Sequence, residues 1–186
     1  MTLKEMKMKV LALIEELNPN STALTDDPDI ATKINYVINQ VMFELVRMKK
    51  LSKYVEMEVT EGDILTLEDI GTECGYDVYQ VSNICGVNFV PKANNTVFKI
   101  LESGTAELDV YVYPEQITST TKDTYEFEVS TDVLEIMPYG IAADLLKSDI
   151  SAEYGTIYAT RYAEMKQLLD PRYSMPMYTI EGGINI

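Results

Sequence analysis

The sequence predicts an α+β protein: a four-helix bundle with an antiparallel β-domain inserted between helices 2 and 3, and an extended C-terminal tail. Three observations predict this fold. Apolar residues recur at three- and four-residue steps near both ends, they alternate every second residue in the middle, and prolines and glycines break up the last stretch. The predicted boundaries are 1–53 and 131–170 for the bundle, 54–130 for the β-domain and 171–186 for the C-terminal arm.

The composition is that of a folded protein. The chain has 186 residues, of which 46% are hydrophobic and 24% charged, enough for one domain or two small ones. No apolar run approaches the roughly 20 residues that span a bilayer. The apolar N-terminal stretch is interrupted by Glu15 and Glu16 and lacks a cleavage site, which favours an amphipathic helix over a signal peptide. We therefore expect no membrane association and a cytoplasmic location, at least at first.

Histidine and tryptophan are absent, and the net charge is −15. The first fact removes the usual general base, the commonest zinc ligand and the Ser-His and Cys-His pairs. The second argues against a surface that grips phosphates, because nucleic-acid affinity comes mainly from Lys and Arg. The sequence therefore predicts a protein that is not an enzyme, with no catalytic residue, no cofactor and no metal site.

Two helices are predicted before the β-domain. The first spans residues 3–17 and ends at Asn18-Pro19. The second runs from Asp29 to Lys50, with Asp27 as its cap and Pro28 as its first residue. Its apolar face consists of Ile30, Ile34, Val37, Ile38, Val41, Met42, Leu45 and Met48.

At Tyr54 the apolar period changes to two, which indicates strands. Gly62-Asp63 provides the first turn. The predicted strands are YVEMEVT, ILTL, YDVYQVS, TVFKILE, AELDVYVYP and TYEFEVS. Short antiparallel strands at this spacing favour a small sandwich or barrel-like sheet.

Two more helices follow. Asp132 and Glu135 have the spacing of a capping box, and Pro138 is expected in the first turn. Ser151 is the expected cap of the last helix, which Pro171 ends. Its predicted apolar-aromatic stripe consists of Tyr154, Ile157, Tyr158, Arg161, Tyr162, Met165 and Leu169.

The last residues carry the predicted binding surface. Pro171 and Pro176 keep this segment extended, and Met177 to Ile180 has the composition of a strand. An apolar, extended tail favours docking on another subunit by strand addition or groove filling; a frayed terminus is the alternative. The candidate interface residues are Tyr173, Met177, Tyr178, Ile180, Ile184 and Ile186.

Other candidate sites have a plainer explanation. Cys74 and Cys85 lack the further ligands of a metal site, and a disulfide needs an oxidising compartment, so reduced, partly buried thiols are expected. The carboxylates of Asp26, Asp27 and Asp29 lack the ligand pattern of a calcium loop, and capping of the second helix accounts for Asp27.

Two further classes of function stay open. Glu126 and Glu128 share a strand face, as a pair of hydrolase carboxylates would, although a solvated sheet face predicts the same pattern. A carbohydrate- or peptide-binding module on the β-domain would use aromatic residues on one sheet face. The available residues are Tyr76, Tyr79, Tyr111 and Tyr113.

The closing helices resemble those of the head-to-tail connector, or adaptor, proteins of tailed bacteriophages. The resemblance rests on the block EIMPYGIAADLLKSDISAEYGTIYATRYAEMKQLL: a Met-Pro-Tyr start, an Ala-Ala-x-Leu-Leu core, an acidic break and a Tyr-rich final helix ending in Leu-Leu. It covers the helical half of the chain. The β-domain matches in position more than in residues.

This resemblance implies a structural virion protein. It would form a ring, typically of twelve copies, below the portal at the head-tail interface, after a period in the host cytoplasm. Its partners would be other copies of itself, the portal protein and a tail or tail-completion protein. DNA would pass through the channel without specific binding, and an acidic subunit suits such a channel because it repels phosphate.

Overall fold

In a computed structural model, which describes residues 1–148 and 152–169, the chain is a mixed α+β protein. These ranges contain five α-helices and two small antiparallel sheets. The helices are α1 (Leu3–Leu13), α2 (Pro28–Met48), α3 (Leu67–Cys74), α4 (Thr131–Leu145) and α5 (Ala152–Leu169). The strands are β1 (Leu51–Val59), β2 (Ile64–Thr66), β3 (Asp77–Cys85), β4 (Phe89–Lys92), β5 (Val97–Ile100) and β6 (Gly104–Tyr113). No helix in the described ranges has both the length and the apolar character needed to cross a membrane.

α1 begins at a capping box and ends in a left-handed turn. The Thr2 hydroxyl accepts a hydrogen bond from the Glu5 amide at 3.2 Å, and the Thr2 amide donates to the Glu5 carboxylate at 2.9 Å. At the other end Glu15 has a φ of 61°, and the Glu16 amide donates back to a helix carbonyl at 2.9 Å. The helix therefore ends at Leu13, and its predicted extension through Leu17 is wrong.

The start predicted for α2 is confirmed. Asp27 is the N-cap, and its carboxylate accepts hydrogen bonds from the amides of Asp29 at 2.8 Å and Ile30 at 3.2 Å. Pro28 occupies the first helical position, where its missing amide proton costs nothing. The buried residues of the helix are Ile34, Val37, Ile38, Asn39, Val41, Met42, Leu45 and Val46.

Asn39 is the polar exception on this face. It is 8% exposed, and its side-chain amide donates to the Ile117 carbonyl at 2.7 Å. Its oxygen accepts from the Ile117 amide at 2.8 Å. This two-way bond fixes the segment after β6 along α2. The apolar side chains of Ile117, Phe127 and Val129 consequently belong to the same core as the helices.

The helices from both ends of the chain share this core. α4 contacts α1, α2 and α5. The completely buried side chains of the core include Leu3, Met6, Leu11, Ile38, Met42, Leu45, Met137 and Ile141. Burial of this apolar surface is the main favourable contribution to joining segments so distant in sequence.

The predicted start of α4 is wrong. The helix begins at Thr131 after Ser130, an N-cap without a side-chain hydrogen bond, so Asp132 and Glu135 do not form a capping box. Pro138 lies well inside the helix instead of in its first turn. It costs the helix one backbone hydrogen bond, but its ring is buried in the core.

α5 is helical as predicted, but its aromatic stripe is only partly buried. Ser151 and Pro171, its predicted limits, lie outside the described residues. Tyr158, Tyr162 and Met165 pack against the core, and Leu169 is buried. Tyr154, Ile157 and Arg161 are exposed instead. The reason is the buried Gly155, where an added Cβ would lie 3.3 Å from the Leu146 Cβ. Because this position has no side chain, the helix packs closely against the core on the side of Gly155.

The two sheets share a second apolar core. The strand orders are β1-β6-β3 and β2-β5-β4, and all pairs are antiparallel. Both sheets and α3 contribute to this core, which includes Val55, Leu65, Ile70, Val78, Phe98, Ile100, Leu108, Val110 and Val112. Leu51, at the start of β1, packs against both cores.

The stretch TYEFEVS is not the strand that its alternation predicts. It forms one isolated bridge, between Glu126 and Thr2. The Tyr125 carbonyl accepts from the Leu3 amide at 2.8 Å, and the Phe127 amide donates to the Met1 carbonyl at 3.2 Å. The segment runs along the start of α1 and, within the described residues, pairs with no strand of either sheet.

Two elements were missed by the sequence analysis. α3 begins with a capping box between Thr66 and Asp69 and ends at Gly75, whose φ is 73°. β4 contains Pro91 and lies at a sheet edge, where a missing backbone donor is tolerated.

Candidate functional site

An aromatic cluster lies where the end of α2 meets the sheet β1-β6-β3. Tyr111 and Tyr113 alternate with the buried valines of β6, so they project from the face opposite the apolar core. Tyr79 lies 4.6 Å from Tyr113 and 6.4 Å from Tyr111 between ring centroids. Phe43 of α2 meets Tyr113 edge-on at 5.5 Å. Burial and the neighbouring Tyr113 raise the pKa of Tyr79.

Cations from the end of α2 cover two of these rings. The Lys50 ammonium lies 4.3 Å from the centroid of Tyr111 and donates to the Gln80 side chain at 3.1 Å. The Arg47 guanidinium lies 6.0 Å from the centroid of Tyr113. These are cation–π distances, so the cluster is a packed junction between helix and sheet.

A second set of cations links β1 and the end of α2 to the segment before α4 and to the first turn of α4. Lys53 donates to Glu128 at 2.8 Å and lies 4.4 Å from the centroid of Tyr76. The hydrogen bond to Glu128, followed by that to Tyr76, raises the pKa of Lys53. Lys49 pairs with Asp132 at 3.6 Å. The junction is therefore held from several sides.

A groove of 530 Å³ opens beside this junction. Its lining combines aromatic rings with carboxylates: Phe43, Tyr76, Asp77, Tyr113, Glu115 and Glu128. Rings and carboxylates both attract cations, so the chemistry of the groove suits a basic group better than an anion.

Glu44 of α2 forms the polar contact between α2 and α5. Its carboxylate accepts from the Tyr162 hydroxyl at 2.9 Å and from the Lys166 ammonium at 2.5 Å. Burial alone would raise the pKa of Glu44, but these two hydrogen bonds outweigh it and lower the pKa. Burial, then the hydrogen bond to Glu44, raises the pKa of Tyr162 far above its usual range.

Comparison with known proteins gives no family assignment. No protein-family model matches the chain, and no curated protein matches its sequence. Its function is therefore inferred from its own residues and from the resemblance of its closing helices.

The outer face of α5 is unusually apolar for a solvent-facing surface. Tyr154 is 63% exposed, Ile157 62% and Leu168 82%. These positions follow one another at steps that keep them on one side of the helix. Beside Tyr154 is a pocket of 160 Å³ lined by Leu13, Ile14, Glu15, Leu146, Tyr154 and Tyr158. The Tyr158 hydroxyl donates to the Leu13 carbonyl and so fixes the wall of this pocket.

The predicted interface residues of the C-terminal arm lie outside the described residues. This applies to Tyr173, Met177, Tyr178, Ile180, Ile184 and Ile186. Their role in docking stays a prediction.

The cysteines and the aspartate cluster have local explanations. Cys74 and Cys85 are unpaired thiols; Cys74 is half-buried as predicted, whereas Cys85 is exposed. Asp27 caps α2, Asp26 accepts from the Asn18 side chain at 2.7 Å, and Asp29 pairs with Lys33 across one helical turn at 3.5 Å.

The tyrosines proposed for a binding face are only partly brought together. Tyr79, Tyr111 and Tyr113 form the cluster, whereas Tyr76 lies with Lys53 in the groove. The paired carboxylates Glu126 and Glu128 are both exposed, but on an extended segment and not on a strand.

Sequence reasoning missed the partners of Arg47 and Lys50. Their position in the last turn of α2 was explained by the helix dipole alone. The available signal was the short link: the helix and β1 are separated only by Lys49 and Lys50. Because the link is only two residues long, the last basic residues at the end of the helix lie beside the first residues of the sheet.

Proposed function

We propose that α1, α2, α4 and α5 form a four-helix bundle carrying residues 54–130 as an inserted β-domain, and that the protein is a head-to-tail connector of a tailed bacteriophage. As a structural virion protein it forms a ring below the portal, joins the capsid to the tail and continues the DNA channel. It assembles from the host cytoplasm into the virion.

One observation carries this proposal: the closing helices pack on the opening ones. α4 lies against both α1 and α2, and α5 closes over α4. The connector-like block of the sequence is thus part of one helical body built from both ends of the chain. This is the arrangement that the resemblance implies.

The junction with the sheet also suits a ring subunit. Lys50 over Tyr111 ties the sheet to the end of α2, and Lys53 with Glu128 ties β1 to the segment that leads into α4. A subunit that links two larger assemblies needs such ties, because a loosely attached domain would not hold one assembly at a fixed orientation to the other.

The charge of −15 supports passage of DNA without specific binding. A channel lined with carboxylates repels phosphate, so packaged DNA moves through it without sticking. A lumen lined mainly by Lys and Arg would contradict this part of the proposal.

The C-terminal arm, residues 171–186, is proposed to bind a neighbouring ring component or tail protein. Its apolar and aromatic residues suit strand addition or groove filling. Ending the chain after Asp170 is expected to abolish incorporation into particles while the helical body still folds. Unchanged incorporation of the truncated chain would contradict this role.

A nonsense mutation in the phage gene tests the function as a whole. We expect DNA-filled heads and separate tails in electron micrographs, with normal particles restored by a plasmid copy. A ring below the portal should be visible in complete virions. Infectious, tailed particles that lack the protein would overturn the proposal.

The groove favours a second candidate, a peptide-binding module on the helical scaffold. Its rings and carboxylates suit a basic peptide side chain. Titration with Lys- and Arg-rich peptides, followed by shifts of the Tyr76 and Tyr113 NMR signals, tests it. Saturable shifts, lost in Glu115→Gln, would support the module; shifts that salt removes entirely would indicate non-specific attraction.

A further inference from the structure

We propose that α5 carries both halves of the contact between neighbouring copies: Leu168 of one copy inserts into the pocket beside Tyr154 of the next. This inference rests on the proposed ring and names the contact that builds it. It makes the interface heterologous, with different surfaces of the two copies meeting.

Leu168 has the properties of an inserting side chain. It is 82% exposed, the highest value among the exposed large apolar residues of the described ranges. A leucine left in water does not gain the hydrophobic stabilisation that its burial provides. The other large apolar side chains on this face, Tyr154 and Ile157, would be covered by the same contact.

The pocket has a matching size. Its volume is 160 Å³, and Leu13, Ile14 and Leu146 supply aliphatic walls. A cavity of about 150 Å³ holds a benzene-sized group, so this pocket has room for one leucine side chain. Glu15 lies at its rim, and Tyr158 is held in place by its bond to Leu13.

Leu168 cannot enter the pocket beside Tyr154 of its own chain. Tyr154 and Leu168 lie near opposite ends of α5, about 21 Å apart at 1.5 Å per residue. Leu168 therefore reaches such a pocket only on a second molecule. In the proposed ring the contact is not reciprocal, so the pocket of the first molecule receives Leu168 of a third copy. A repeated contact of this kind closes into a ring when its rotation closes, and otherwise gives a filament.

Electrostatics favours this surface for contact between copies. Each chain carries a net charge of −15, so most surfaces of two copies repel each other. On the outer side of α5, Glu164 is balanced by Arg161, whereas Lys166 is bound to Glu44 of α2. The Arg161–Glu164 pair, at 3.5 Å, neutralises the centre of the exposed face. Two copies thus approach along α5 with little repulsion.

Cysteine cross-linking in assembled particles tests the contact. The variant carries Tyr154→Cys and Leu168→Cys in a chain whose native Cys74 and Cys85 are replaced by serine. A disulfide needs Cα atoms within about 7 Å, so any bond between these positions joins two molecules. We expect a ladder of covalent oligomers beyond the dimer, and none from either single cysteine.

The outcomes separate the contact from the function. Protein absent from wild-type particles would overturn the proposed function itself. Protein present without a ladder would overturn the inference alone, as would cross-links that stop at the dimer, because they indicate a two-fold contact. A pocket filled by residues 170–186 of the same chain would also give no ladder.

A substitution provides the second measurement. Leu168→Ser is expected to reduce incorporation into particles at least tenfold. Tyr36→Ser is the matched control, since Tyr36 is a 72% exposed aromatic residue on α2. It should leave incorporation unchanged. Equal incorporation of the two variants would contradict the contact, and equal melting temperatures would exclude a folding defect as the cause of a difference.

Discussion

The ring of Tyr162 on α5 lies directly against Gly140 on α4. A Cβ added at Gly140 would come within 2.8 Å of Tyr162 Cε2 and 3.0 Å of a Val41 methyl on α2. Three helices therefore meet at one glycine, and the absence of a side chain there sets how closely they pack.

Gly140→Ala is expected to destabilise the protein. The added methyl group overlaps Tyr162 and Val41, and overpacking of this kind costs about 1–3 kcal/mol of unfolding free energy. Gly155→Ala is the control, because its Cβ would lie 3.3 Å from Leu146 and alanine is intrinsically more helical by up to about 1 kcal/mol. Urea unfolding should place Gly140→Ala clearly lower. A Gly155→Ala chain that is the less stable of the two would contradict this packing.

Tyr162 contributes through both its ring and its hydroxyl. Tyr162→Phe keeps the ring on Gly140 and loses only the bond to Glu44, at a cost of about 1 kcal/mol. Tyr162→Asp puts an unpaired charge beside the Glu44 carboxylate and should cost about 3 kcal/mol or more. Thermal unfolding of the two variants checks this order. Undiminished stability of Tyr162→Asp would show that α5 does not pack here.

Asn39→Leu is expected to loosen the segment after β6. It leaves the amide and carbonyl of Ile117 unpaired, at about 1–3 kcal/mol for each group. Asn35→Leu is the control, since the half-buried Asn35 makes one bond, to the Thr118 carbonyl at 3.2 Å, and none to Ile117. Hydrogen exchange at the Ile117 amide should accelerate only in the Asn39 variant. Equal protection in both variants would refute the two-way bond.

The contact of Glu44 predicts a pH dependence. Its folded pKa lies below the ordinary 4.5, so its contribution to stability is complete above that value and is lost as the pH falls through the folded pKa. The stability advantage of wild type over Glu44→Gln should be constant near neutrality and shrink below pH 4.5. Melting temperatures of wild type and Glu44→Gln from pH 7 to about pH 3 measure this difference, since paired carboxylates lose their charge over this range. A difference that stays constant down to about pH 3 would contradict the lowered pKa.

Local signals in the sequence predicted some elements and misplaced others. α2 was predicted well because Asp27, Pro28 and a long apolar face agree. The start of α4 was misplaced because Ser130 caps it without a side-chain bond, while Asp132 and Glu135 imitate a capping box. Residue spacing alone does not show whether Ser130 or Asp132 is the N-cap of this helix.

The remaining differences between the prediction and the structure arise from contacts between residues that are distant in sequence. The segment 124–130 keeps the alternation of a strand, with Phe127 and Val129 buried and Glu126 and Glu128 exposed. Among the described residues it forms only one bridge, to Thr2. The sequence likewise placed Tyr154 and Ile157 in the core, because helical period predicts a stripe without fixing its direction. Gly155 fixes that direction. The cation–aromatic junction depends on distant residues and had no local pattern.

The short link between α2 and β1 has a mechanical consequence. Only Lys49 and Lys50 separate the two elements, and both have partners on other elements, Asp132 and Gln80. The sheet therefore has no free hinge at this point. A pull on the sheet therefore reaches the last turn of α2 through only two residues of backbone, and it strains the Lys49–Asp132 pair to α4 at the same time.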